Sequence, residues 1–123
     1  MGRLIAIIGA GGDRDPGKRP QMGALAAEAS DHLIVTDDNP RSEDPSEIRK
    51  MVINGMSEPA QVKEVGDRAE AILRAVDMLK AGDALLIAGK GHETGQVIGD
   101  DILPFDDVEQ ASLAVAALDG RLV

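Results

Sequence analysis

Three polar stretches hold most of the residues with chemical reach in this chain: Gly9 to Arg19, Asp37 to Arg41, and Gly89 to Gly95. The first sets Arg14, Lys18 and Arg19 in a glycine-rich loop ahead of an expected helix. Cations and free backbone N–H groups at a helix N-terminus make an anion site; a solvated charged face is the plainer reading of the same cluster. The second is Asp37-Asp38-Asn39-Pro40-Arg41. Proline fixes its own φ and pushes the preceding residue out of the helical region, so this is a stiff turn. A guanidinium on a stiff turn can hold a carboxylate through two parallel hydrogen bonds. Asn-Pro is also an ordinary turn pair that needs no ligand. The third stretch contains Lys90, His92 and Glu93. His92 is a general base by type, but the sequence supplies no nucleophile for it to activate. No spacing of His, Asp and Glu indicates a metal site. His32, at the start of an expected strand, reads as structural, and Asp106 and Asp107 read as cap and dipole partners of a last helix.

Two nucleotide motifs come close and fail. Gly9-Ala10-Gly11 begins a dinucleotide fingerprint, but Arg14 stands where the third glycine is needed for helix–strand packing. Gly12 to Lys18 has the spacing of a phosphate-binding glycine loop. There, however, Arg19 replaces the hydroxyl residue that would ligate magnesium, and Pro16 removes a backbone donor. A nicotinamide-dependent oxidoreductase is disfavoured on the first count.

The elements that must position these loops follow from the apolar pattern. The chain has 123 residues, one Phe, no Tyr, Trp or Cys, and a formal net charge of −9. One domain with an aliphatic core is expected. Disulfides and thiolate chemistry are excluded, and nucleic-acid binding is disfavoured because it needs a basic face. No apolar run reaches the ~20 residues of a membrane helix, so no membrane association and a cytoplasmic location are expected. Arg3 to Ile8, His32 to Thr36, Gln61 to Val65 and Ala84 to Gly89 read as strands. Helices are expected from Arg19 to Ser30, with Met22, Leu25, Ala26 and Ala29 inward, and after an Asp44-Pro45 start, with Ile48, Met51 and Val52 inward. A third follows Asp67, buries Ala69, Ile72, Leu73, Val76 and Leu79, and is closed by Gly82. Gln96 to Ile98 and Ile102 to Phe105 suggest a short antiparallel hairpin, and a last helix spans about Asp107 to Leu118. Alternation of strand and helix implies α/β architecture with a mostly parallel sheet. In such sheets ligands bind beyond the carboxyl ends of the strands, where all three polar loops fall.

Taken in order, Gly11-Gly12-Asp13-Arg14-Asp15, Gly17-Lys18-Arg19-Pro20, Met22-Gly23, Thr36 to Arg41 and Ala88-Gly89-Lys90-Gly91-His92-Glu93 resemble the carboxyl-terminal domain of the Mur ligases. The match is to the tripeptide synthetases of the MurE type and runs from about Arg3 to Asp107. The resemblance implies a Rossmann-like three-layer sandwich that carries the incoming amino acid to a central ATPase domain. It also implies ATP-dependent amide-bond formation in peptidoglycan precursor synthesis, through an acyl phosphate on UDP-N-acetylmuramoyl-L-alanyl-D-glutamate. Asp38-Asn39-Pro40-Arg41 matches the selectivity motif of members that use meso-diaminopimelate. Carried over by motif, Arg14, Asn39, Arg41, Gly89 and Glu93 would contact that amino acid, and Lys18 and Arg19 would face phosphate. Val108 departs from the arginine that members often carry after Phe-Asp-Asp.

On this resemblance residues 1–123 are expected to be one such domain, cut at a boundary and silent alone, with the central ATPase and UDP-binding domains absent. ATP and Mg2+ would serve the full-length ligase without binding tightly here, and the domain would be monomeric. The competing expectation is a stand-alone, non-catalytic module for a small anionic metabolite.

Overall fold

Leu4 to Ile8 is apolar at every position, and a strand of that kind must be covered on both faces. In the computed structural model, which describes residues 2–12, 16–57, 62–88, 95–98, 101–104, 107 and 110–115, it forms β1 (Leu4–Ile8), an inner strand. The sheet has four strands in the order β3-β2-β1-β4, with β2 (His32–Val35), β3 (Lys63–Glu64) and β4 (Ala84–Ile87). Every pairing in it is parallel. Ile5 lies opposite His32 on one side, and Leu4 lies opposite Ala84 on the other. The crossovers carry α1 (Arg19–Ala29), α2 (Pro45–Asn54) and α3 (Arg68–Met78). The expected α/β class with a parallel sheet is therefore observed. A separate antiparallel pair joins β5 (Gly95–Ile98) to β6 (Asp101–Pro104). Residues 99–100 between them lie outside the described residues.

Alternation along β1 divides the core in two. Ile5 and Ile7 pack with Ile34, Val65, Ala71, Ile72, Ala75, Val76 and Ala114 on the α3 side. Ala6 and Ile8 pack with Leu33, Val35, Ile48, Val52 and Met56 on the α2 side. Helices therefore cover both faces of the sheet, which makes three layers.

The starts of α2 and α3 follow their sequence signals. Asp44 accepts from the Ser46 N–H at 2.9 Å with Pro45 next, and Asp67 accepts from the Glu70 N–H at 3.1 Å. Three helical expectations need correction. In α1 the buried positions are Arg19 and Gly23, while Met22 is partly exposed and Leu25 is 68% exposed. The cause is close backbone approach: a Cβ at Gly23 would lie 1.9 Å from the Val52 carbonyl oxygen of α2. In α3 the buried face is Arg68, Ala71, Ile72, Ala75 and Val76, and Leu73 is exposed. Gly82 does not cap α3, which ends at Met78; it sits at φ +91° in the turn entering β4, where a side chain would be strained. In the last helix, residues 110–115 are helical, with Ala114 buried and Leu113 exposed. Val108 and Leu118 lie outside the described residues.

Candidate functional site

Parallel pairing brings the carboxyl ends of β1, β2 and β4 to one edge of the sheet. The loops after β1 and β2 are drawn into contact by glycine. A Cβ at Gly9 would lie 2.9 Å from the Thr36 carbonyl oxygen, and one at Gly12 would lie 1.8 Å from that of Pro40. Only a residue without a side chain allows the second approach. The two backbones are then joined directly, the Gly12 N–H donating to the Asn39 carbonyl at 2.7 Å.

The Asp38–Arg41 turn is rigid in the way its sequence implies. Pro40 is fully buried and Asn39 is 4% exposed. Arg41 has φ +53°, the one positive-φ residue other than glycine among those described. A non-glycine residue held there costs on the order of 1–3 kcal/mol and persists only where its surroundings over-determine it. The surroundings here are the Arg41 side chain itself, whose Nη1 donates to the Gly12 carbonyl at 2.9 Å and lies 3.4 Å from that of Asn39. The first polar loop thus holds the guanidinium of the second.

Lys18 is exposed at the start of α1. Arg19, expected to face phosphate beside it, instead turns inward and is 2% exposed. Its Nη1 and Nη2 each donate at 2.8 Å to an oxygen of Glu43, and Nη2 also donates to the Gly11 carbonyl at 3.1 Å. An arginine with a carboxylate and a carbonyl within reach stabilises its charge inside rather than in solvent. It therefore ties the β1 loop to the segment that follows Arg41. Arg14, Gly89, His92 and Glu93 lie outside the described residues.

Two arginines of this edge carry no motif and escaped the sequence reading. Arg49 of α2 donates to Asp37 and to Glu64. Burial pushes the Asp37 carboxyl above its ordinary value, against the pull of Arg49. Arg68, fully buried at the first position of α3, makes a forked pair with Asp107, Nε and Nη2 each 2.7 Å from a carboxylate oxygen. Its Nη1 donates to the Asp37 carbonyl at 3.1 Å and its Nη2 to the Ala88 carbonyl at 3.3 Å. Asp107, expected to serve as a helix cap and dipole partner, gives both its oxygens to Arg68. The available signal was Arg68 itself: a cation in the first turn opposes the helix dipole and needs another reason to be there.

The family profile described as "Mur ligase, glutamate ligase domain" matches residues 1–91. The chain belongs to the Mur ligase family. This Mur ligase domain is 55% identical, over 94% of its length, to the UDP-N-acetylmuramoyl-L-alanyl-D-glutamate--2,6-diaminopimelate ligase of Bradyrhizobium diazoefficiens, covering 23% of that protein. It is 57% identical, over 99% of its length, to the ligase of the same name from Agrobacterium fabrum, covering 24% of it. A solved structure of a UDP-N-acetylmuramoyl-L-alanyl-D-glutamate--2,6-diaminopimelate ligase superposes with a TM-score of 0.91 at 41% identity, over 97% of this chain and 25% of that one. The Mur ligase domain thus spans about a quarter of the length of the relatives it matches.

Proposed function

We propose that this domain binds meso-diaminopimelate for a ligase that joins it to UDP-N-acetylmuramoyl-L-alanyl-D-glutamate in peptidoglycan precursor synthesis. The relatives named above support the reading, and the observation that carries it is the strained Arg41, held at φ +53° in a loop closed by Gly12. Strain of this kind is retained where a side chain must be aimed. Diaminopimelate is lysine with a further carboxylate at its far end, and a planar guanidinium matches that group better than an ammonium does. In this reading Arg41 takes the distal carboxylate, Glu93 and the Gly89 carbonyl take the distal ammonium, and Arg14 and Asn39 complete the contacts. Lys18 remains the candidate for phosphate, while Arg19 supports the loops.

ATP and Mg2+ belong, in this reading, to the rest of the ligase. Among the described residues no group of three or more His, Cys, Asp or Glu could hold a metal ion, and no helix is long and apolar enough to cross a membrane. We assign the domain to the cytoplasm and to a monomeric enzyme with no nucleic-acid partner. The test is Arg41→Ala in the whole ligase. Charged hydrogen bonds are worth roughly 1.5–3 kcal/mol each, so kcat/KM for diaminopimelate should fall by about 10–100-fold or more. The KM for ATP should hold. An unchanged rate of diaminopimelate addition would sink the reading.

A further inference from the structure

We infer that Arg19, acting with Glu43, is a positioning residue that keeps the Arg41 turn in its strained shape while the Arg41 guanidinium is engaged by a ligand carboxylate. The inference deepens the role proposed above for Arg41 and rests on it. Pro40 to Glu43 is a four-residue turn, closed by the Glu43 N–H donating to the Pro40 carbonyl at 3.0 Å. Arg41 is its second residue, and positive φ at that position is dominated by glycine, asparagine and aspartate. An arginine stays there only if its surroundings hold it. The bond from Arg41 Nη1 to the Gly12 carbonyl is one such hold. In the proposed site, however, the same guanidinium turns to the ligand. A hold that competes with the ligand is a poor way to aim the group that binds it.

Arg19 supplies a second hold, from inside the fold. Its buried guanidinium forks onto both oxygens of Glu43 at 2.8 Å, the residue whose N–H closes the turn. Its Nη2 also reaches the Gly11 carbonyl at 3.1 Å, and its Nη1 lies 3.2 Å from the Met51 sulfur of α2. The next residue, Gly12, donates to the Asn39 carbonyl on the other side of Arg41. Both ends of the strained turn are therefore tied to one buried group that stays in place when the Arg41 side chain moves. Stability alone is a poor reason for this arrangement, since apolar residues of similar volume often do as well as a buried ion pair. What the planar fork adds is direction. Lysine lacks the distal carboxylate that Arg41 is proposed to take, so loosening the clamp should erode the preference for diaminopimelate over lysine.

The experiment uses the whole ligase. Arg19→Lys keeps the charge but replaces the planar fork by a point donor. Glu43→Gln keeps the volume and one acceptor oxygen at a side chain that is 33% exposed, so it reports even if the buried substitution does not fold. A misplacement of about 1 Å is able to cost on the order of 100-fold. We expect either variant to raise the KM for meso-diaminopimelate at least about tenfold, while the KM for ATP stays within about twofold. The ratio of diaminopimelate to lysine addition should fall with it. The decisive readout is a double-mutant cycle. If the clamp acts through Arg41, adding Glu43→Gln to Arg41→Ala should cost less than about twofold more in kcat/KM for diaminopimelate. Full additivity would overturn the proposal, because a merely structural role lowers activity whatever stands at position 41. So would a raised KM for ATP with an unchanged KM for diaminopimelate, which would return Arg19 to phosphate. Failure of both variants to fold would also overturn it, making the pair a requirement of folding only. If Arg41→Ala is impaired and the two folded clamp variants are not, this inference alone fails. If Arg41→Ala adds diaminopimelate at the parent rate, the role proposed for Arg41 fails and this inference falls with it.

Discussion

Arg41 combines two tasks that pull against each other. Its backbone occupies a left-handed region that favours glycine, and its side chain bonds the Gly12 carbonyl that helps to keep it there. Glycine at this position would relieve the backbone and lose the guanidinium; alanine would lose the guanidinium and keep the strain. Arg41→Gly should therefore be more stable than Arg41→Ala by about 1 kcal/mol or more, while both lose diaminopimelate addition. Urea midpoints of the two variants at equal slope would measure the difference. This turn was legible in the sequence because proline and charge mark it locally. The orientation of Arg19 was not. A cation near a helix start serves an anion outside or a carboxylate inside, and Glu43, the residue that decides it, lies 24 positions away. Arg68 was hidden for the same reason, its partner lying 39 positions on.

At the scale of elements, strands and caps were readable and helix faces were less so. An apolar run covered on both sides announces β1 and β2, and Asp44-Pro45 and Asp67 announce the starts of α2 and α3. α1 misled because its contact with α2 is made through the smallest residue on the helix. The large side chains of Met22 and Leu25 mimic a buried stripe, while Gly23 carries the interface. Gly23→Ala should push α1 away from Val52 and destabilise the fold by about 1–3 kcal/mol, as overpacking does elsewhere, and a lowered denaturant midpoint would record it. Alanine is the better helix former, so propensity alone predicts the opposite sign. The experiment thus separates packing from propensity.

Across the whole molecule both ends of the sheet are held by arginine–carboxylate pairs, buried at the carboxyl end and partly exposed at the amino end. At the carboxyl end buried arginines tie loops together. At the amino end the Arg3 guanidinium donates twice to Asp83 Oδ2 and once to the Met78 carbonyl at 2.9 Å, while the Arg3 backbone N–H donates to Asp83 Oδ1, pinning β1 to the turn before β4. Hydrogen bonds from the Arg3 side chain, then from the backbone N–H groups of Arg3 and Lys80, hold the Asp83 carboxyl well below the usual carboxylate range. A depressed carboxylate contributes stability that is complete above its unfolded value of about 3.9 and is lost as pH falls through the folded one. Asp37 is shifted the other way, chiefly by burial, so its contribution is present at low pH and declines as pH rises above its unfolded value. Asp83→Asn should be less stable than the parent at pH 7, and the gap should shrink as pH drops from about 4 towards 2. Parallel urea titrations across that range would show a constant gap if the pair contributes nothing through its charge. The placement of β1 has one more consequence, in the order of synthesis. β1 is an inner strand, and its second partner begins 80 residues later in the chain, Leu4 pairing with Ala84. On the ribosome the Asp38–Arg41 turn therefore emerges complete long before the sheet edge that carries it can close. Contacts so distant in sequence make for slow folding, and the half-built sheet offers β1 as an open edge in the meantime.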